Sequence, residues 1–185
     1  MNEKIILALV GMPGAGKSEA VCHLQKKGIP FVRFGEITDQ GVLGLGLSLT
    51  PENEREYREK IRKEMGMAAY AIKAEPWIRS LLEKNNIIAL DGLYSWEEYI
   101  YLKEKFPNLT LIHIFAKPSK RYQRLSKRIV RPVPFEKSRE RDLAEIEKLN
   151  KGGPIAIADY LLENDSDNLE DLYIKIDNLL TRLKV

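Results

Sequence analysis

The chain is poor in the residues that build covalent or metal-held scaffolds. It has one cysteine, Cys22, and two histidines, His23 and His113, in 185 residues. A single cysteine excludes an intrachain disulfide framework. Together these three residues lack the ligand spacing of a zinc site. Long apolar runs are missing too: none approaches the ~20 residues a membrane helix needs. Charge of one sign is scarce, since 30 Lys and Arg face 27 Asp and Glu for a formal balance of +3. That sum does not announce a nucleic-acid binder. No internal repeat or low-complexity linker is present. The length fits one domain by the prior of about 150 residues each, so a single domain over 1–185 is expected.

The apolar residues are grouped. Ile5 to Val10 form a continuous apolar run behind Lys4, which mimics a short secretory signal. The run is short for that role and feeds into a stronger motif, so it reads as the buried first strand of a cytoplasmic protein. Lys17 to Lys27 reads as a helix stopped by Gly28. Further strands are expected at Pro30–Phe34, Ile87–Leu90, Leu109–Phe115 and Tyr160–Leu162. A last helix follows from Leu169, Leu172, Ile176, Leu179, Leu180 and Leu183. Apolar strands alternating with helices predict an α/β sandwich around a parallel sheet. Two stretches exceed an ordinary connection, Gly35–Asn86 and Lys117–Gly153. The first carries Gly41, Gly44 and Gly46, then a helix capped at Thr50 with Pro51 in its first turn. A second helical pattern follows Gly66, with Pro76 expected to interrupt it. Such insertions are where lids and substrate-binding elements sit.

The chemistry begins at Gly11-Met12-Pro13-Gly14-Ala15-Gly16-Lys17-Ser18, a match to G-x-x-x-x-G-K-[ST]. An apolar strand precedes it and an amphipathic helix follows, the context a P-loop requires. Glycines let backbone N–H groups turn inward as an anion nest, and the helix start adds its positive end. Lys17 is placed to reach the β- and γ-phosphates, and Ser18 offers a hydroxyl to Mg²⁺. Ile87-Ile88-Ala89-Leu90-Asp91 is an apolar strand ending in aspartate, the Walker B pattern. Asp91 is the candidate for holding a Mg²⁺-bound water, though aspartates also start turns.

Arginines that neutralise a transferring phosphoryl group have a candidate source in the second insertion. Lys117, Arg121, Arg124, Arg128 and Arg131 step by four, three, four and three, which predicts one helix face. Tyr122, Leu125 and Ile129 would point to the core from a neighbouring face. Lys117 to Lys151 holds twelve Lys and Arg against five Asp and Glu, a local +7 that leaves −4 elsewhere. The stripe reads as a phosphate-closing lid, with a solvated basic helix as the alternative. Arg121 and Arg124 lie nearest the strand end, and Arg139 and Arg141 form a second cluster.

The pattern resembles the nucleoside-monophosphate kinases. It is most similar to dephospho-CoA kinases and to a largely archaeal family of adenylate-kinase-like proteins. The residues that carry the resemblance are Gly11 to Glu19, Val32-Arg33-Phe34-Gly35-Glu36, Leu90-Asp91-Gly92 and Ala158-Asp159-Tyr160-Leu161-Leu162-Glu163-Asn164-Asp165. The resemblance implies a P-loop NTPase three-layer sandwich. Its five-stranded parallel sheet would have order 2-3-1-4-5, with helices on both faces, a helical acceptor insertion at 35–86 and a lid at 117–153. It implies ATP and Mg²⁺ as cofactors. Gly11, Gly14, Ala15, Gly16, Lys17, Ser18 and Glu19 would bind the phosphates, and Asn164 would lie near the adenine. Lys17, Arg121 and Arg124 would act on the transferring group. Glu36 would orient the acceptor hydroxyl, with Asp39 second; a dipole-favoured helix acid explains Glu36 equally.

One departure bears on the acceptor. Many such kinases carry an arginine shortly after Asp-Gly, whereas this chain reads Asp91-Gly92-Leu93-Tyr94-Ser95-Trp96. Tyr94 and Trp96 are candidates for stacking on a flat group or for packing. An acceptor phosphate would fall to Arg33, Arg55, Arg58 or Arg62, although the acids around them also fit a salt-bridged solvent face. Cys22, His113 and Trp77 read as packing residues. The expected function is transfer of the γ-phosphoryl group of ATP to a small nucleotide-like acceptor, by a monomer or a homodimer. The alternative is a nucleotide-dependent regulatory ATPase or switch binding a protein partner. A GTPase is disfavoured, because Asn150-Lys151-Gly152-Gly153 misses the aspartate of N-K-x-D. Nucleic acid is disfavoured for want of basic–aromatic interleaving or a helix-turn-helix pattern.

Overall fold

A computed structural model describes residues 4–129 and 131–184. The first residues of the signal-like start, Met1 to Glu3, and Val130 of the lid lie outside them. Strands β1 (Ile5–Val10), β2 (Phe31–Arg33), β3 (Ile87–Asp91), β4 (Leu109–Phe115) and β5 (Tyr160–Glu163) make one parallel sheet. Its five strands stand in the order β2-β3-β1-β4-β5, as the resemblance implied. The unbroken apolar run of β1 has a direct cause. Successive side chains point to opposite faces, and both faces are covered. Leu7 and Leu9 join Val21 and Leu24 of α1 (Lys17–Lys26) and Leu172 and Ile176 of α9 (Leu169–Leu183). Ile6, Ala8 and Val10 join Ala74 and Ile78 of α4 (Ala69–Lys84) and Leu102 of α5 (Trp96–Lys105). No helix of the described residues is long and apolar enough to cross a membrane.

Register brings the functional ends together. Asp91 pairs with Leu9 of β1 on one side and Arg33 of β2 on the other. The acid at the end of β3 therefore stands beside the strand that enters the P-loop.

The first insertion differs from expectation in two ways. The glycine-bearing stretch is itself helical, α2 (Phe34–Gly44). Gly41 is needed there because a Cβ would overlap the Tyr57 ring of α3 (Pro51–Met65). Thr50 caps α3 as expected, its hydroxyl accepting from the Asn53 N–H at 3.2 Å. Helix α4 then runs through Pro76 without stopping. Proline inside a helix costs about 3 kcal/mol, and the buried face of Ala71, Ala74, Ile78 and Leu82 outweighs it.

The second insertion contains α6 (Pro118–Ser126), α7 (Phe135–Leu149) and the short α8 (Gly152–Ala156). The single basic helix face expected from Lys117 to Arg131 is not formed, because α6 ends at Ser126. The chain doubles back there, with the Val133 N–H on the Leu125 carbonyl at 3.1 Å. Pro132 disfavours helix at the residue before it, and Arg131 adopts φ 54°. Leu125 is buried as expected, but Ile129 is 98% exposed. Cys22 is exposed, not a core residue.

Replacing the fully buried Ile88 of β3 with Ala should lower unfolding free energy by about 2–5 kcal/mol. Leu161→Ala, at an exposed position of edge strand β5, should change it by under ~0.5 kcal/mol. Urea titration of both variants checks this.

Candidate active site

The P-loop joins β1 to α1. Gly16 is the N-cap of α1 at φ 106°, and no side chain caps the helix start. The first N–H groups of a helix have no partner within it, so these donors are available to an anion. A side chain at Gly16 would collide with Asn164. Lys17 folds back over the loop, donating to the Gly11 carbonyl at 2.8 Å and the Met12 carbonyl at 3.2 Å. Burial and the nearby Lys151 lower its pKa to about 7, against the pull of Glu145 and Asp91. Burial pushes the Asp91 carboxyl up, while Lys17 and Arg33 draw it down.

A cavity of about 1370 Å³ opens above these groups. A pocket for one small ligand measures roughly 300–1,000 Å³, so this one has room for two. Gly14, Gly16, Lys17, Ser18, Glu19 and Asp91 line it. So do Arg55, Arg58 and Arg62 of α3, which therefore face the cavity and are not merely a solvated stripe. Its lining holds twelve Lys and Arg against seven Asp and Glu. Within α3, the buried Glu54 accepts from Arg58 at 3.3 Å and pairs with Arg131 of the lid. Thr38 and Tyr70 share a hydroxyl hydrogen bond of 2.6 Å at the same wall.

Several expected residues take other positions. Arg121 is not a free lid arginine: it is 5% exposed and does not line the cavity. Its Nε donates to the Ala116 carbonyl at 3.1 Å and one terminal nitrogen to the Pro13 carbonyl at 3.1 Å. Both terminal nitrogens grip Asp142 of α7, at 2.9 and 2.6 Å. Helical spacing put it on the lid face, but α6 packs on the P-loop and Arg121 is taken up at that contact, while Arg124 on the same face reaches the cavity. Glu36 is exposed in the first turn of α2, accepting from Gln40, and Asp39 lines the cavity instead. Asn164 is buried and its amide donates to the Ala15 carbonyl at 2.8 Å, bracing the loop from behind. Gly11 and Ala15 shape the loop without lining the cavity. Arg124 does line it, and donates to the carbonyls of Asn164 and Ser166 at 2.8 and 2.7 Å. Tyr94 also lines it, whereas Trp96 packs on Gly153 and does not. Trp77 packs on the core, and the half-buried His113 sets its ring edge-on to Phe115. Lys151 and Glu145 were not singled out in the sequence, because only the folded chain brings them to Lys17.

Mg²⁺ fits the donors present. The Ser18 hydroxyl and the Asp91 carboxylate line the same cavity. Mg²⁺ is commonly held by one or two carboxylates plus phosphate and water. No group of three or more His, Cys, Asp and Glu able to hold a metal occurs among the described residues.

An uncapped P-loop helix, an acid ending the neighbouring strand and this sheet order define a P-loop NTPase with the kinase-type fold. The chain matches the family described as an AAA domain over residues 7–147. It is 33% identical to a UPF0200 protein of Thermococcus kodakarensis, over 97% of this chain and 100% of the relative. A UPF0200 protein of Methanocaldococcus jannaschii is 34% identical over 97% and 90%. The chain belongs to the UPF0200 family. Among solved structures it resembles shikimate kinase from Acinetobacter baumannii in complex with shikimate. The identity is 18% and the TM-score 0.60, covering 100% of this chain and 97% of that one. A gluconokinase from Sinorhizobium meliloti has 15% identity and a TM-score of 0.51, covering 100% and 98%.

Two measurements follow. Because Lys17 ionises near pH 7 in the free protein, a bound polyphosphate raises its pKa and must draw a proton from solution. At pH 8, calorimetry of tripolyphosphate binding in buffers of different ionisation enthalpy should show fractional proton uptake, absent in Lys17→Met. Affinity should fall as pH rises above about 7. Arg121→Met strands the buried Asp142 and should cost about 3–5 kcal/mol of stability by urea titration. An unchanged midpoint with lost turnover would return Arg121 to the lid.

Proposed function

We propose that the protein transfers the γ-phosphoryl group of ATP to a small nucleotide-like acceptor that carries an anionic group. One observation carries this reading. The P-loop and three arginines of the insertion helix α3 line one cavity large enough for two ligands. A hydrolysing switch has no need of the second half.

In this reading the open N–H groups at the start of α1, with Lys17, hold the donor phosphates. Arg124 approaches from the lid side, anchored on the carbonyls of the loop after β5. Ser18 and Asp91 would hold Mg²⁺, which when bound neutralises charge on the phosphate oxygens. Arg55, Arg58 and Arg62 bind the anionic end of the acceptor. Asp39 orients its hydroxyl, the role first given to Glu36. Positioning and electrostatic stabilisation supply almost all of the acceleration in such transfers, and one shared cavity offers both.

The test is an acceptor screen by coupled detection of ADP, across nucleosides, nucleoside monophosphates and dephospho-CoA. On the acceptor found, Lys17→Ala should lower kcat by roughly 10²–10³, the size of losing one preorganised charge-stabilising donor. Arg58→Ala should raise the acceptor KM about tenfold, as for one charge-assisted contact, and leave the ATP KM unchanged. Slow hydrolysis that no acceptor stimulates would turn the assignment towards the switch.

A further inference from the structure

The cavity holds another lysine, largely buried, with no part in the scheme above. Lys151, between α7 and α8, has a side chain only 2% exposed, yet it lines the cavity. Its ammonium pairs with Glu145 of α7 and sits 4.4 Å from the ring centroid of Tyr94. Glu145 also accepts from Arg141 at 3.2 Å. This group borders the same cavity as Lys17, and the charges of Lys151 and Glu145 both act on Lys17.

A buried ion pair is seldom worth more than apolar side chains of the same shape. One turned towards a basic cavity calls for another reason. Glu145 bridges Arg141 and Lys151 with one carboxylate, and a phosphate chain offers the same cations more charge and more acceptor oxygens. Exchange does not require α7 to move. Asp142, three residues earlier, is clamped by Arg121 and accepts from the Tyr122 hydroxyl at 2.9 Å. The helix is thus held at Asp142, and the exchange asks only for a new rotamer of Glu145.

We infer that Lys151 is a second phosphate-binding lysine, held in the free protein by Glu145, an internal counter-anion that a bound polyphosphate displaces. The inference rests on reading the cavity as a nucleotide site. Tyr94 keeps the ammonium aimed by offering its ring face. The two members of the pair then have opposite effects on ligand, although they are partners in the free protein.

Calorimetric binding of inorganic tripolyphosphate, which needs no turnover, tests this on the full chain. Glu145→Gln removes the competitor and should bind roughly tenfold tighter than the unaltered protein, and Lys151→Met roughly tenfold weaker, as for one charge-assisted contact. A purely structural pair predicts that both substitutions weaken binding together, and that result overturns the inference. So does Lys151→Met binding as well as the unaltered protein while Lys17→Ala does not, which leaves the nucleotide reading intact. If the unaltered protein binds no tripolyphosphate, both fall. Should thermal melting show Lys151→Met unfolded, Glu145→Gln decides: tighter binding sustains the inference, and unchanged or weaker binding overturns it.

Discussion

A single buried guanidinium joins the phosphate loop to the lid. Arg121 spends its hydrogen bonds on the carbonyls of Pro13 and Ala116 and on both oxygens of Asp142. The backbone of the P-loop and the position of α7 therefore share one joint. A charge so placed is tolerable because four of its five N–H groups meet oxygens, two of them on an opposite charge. Its consequence is a lid of two parts. Helix α7 is a fixed wall that carries Arg141 and Glu145 to the cavity. Beyond α6, Arg131 is the outer part, tied across to the insertion through Glu54.

That arrangement leaves the cavity short of anions. Its basic residues outnumber its acids, and desolvation together with the neighbouring Lys151 brings the Lys17 pKa down to about 7. Lys17 and Lys151, at its inner end, are largely shielded from water, so an incoming polyphosphate is worth more to them than it would be at a surface. Glu54 and Glu145 are the internal acids that hold the cluster together meanwhile. Each pairs with two cations, one set bordering the insertion and the other facing Lys17. The overall charge of +3 concealed this, because the acids that offset the lid lie mostly elsewhere in the chain.

The legible parts of the chain were those governed by local rules. The P-loop could be read because its chemistry needs glycines and a lysine at fixed offsets along one turn. Strand β1 could be read because a strand covered on both faces must be apolar at every position. The Thr50 cap and the α9 repeat are local for the same reason. Arg121 was misplaced because helical spacing tells which residues share a face, not what that face meets. Glu36 and Asp39 show the same limit: they lie one turn apart on α2, and only the folded chain decides which reaches the cavity.

The amino-acid order alone determined the class of protein, the sheet order through its resemblance, and the phosphate end of the site. Those depend on contacts between residues close in the chain or on a motif with one structural solution. The tertiary structure alone decided which arginines border the cavity. Arg121 and Arg124 stand one helical turn apart with the same chemistry. One is consumed by Pro13 and Asp142 and the other borders the cavity, because burial and partners come from segments 21 to 108 residues distant. The same long-range packing brought Lys151 and Glu145 to face Lys17, a meeting that no spacing along the chain encodes.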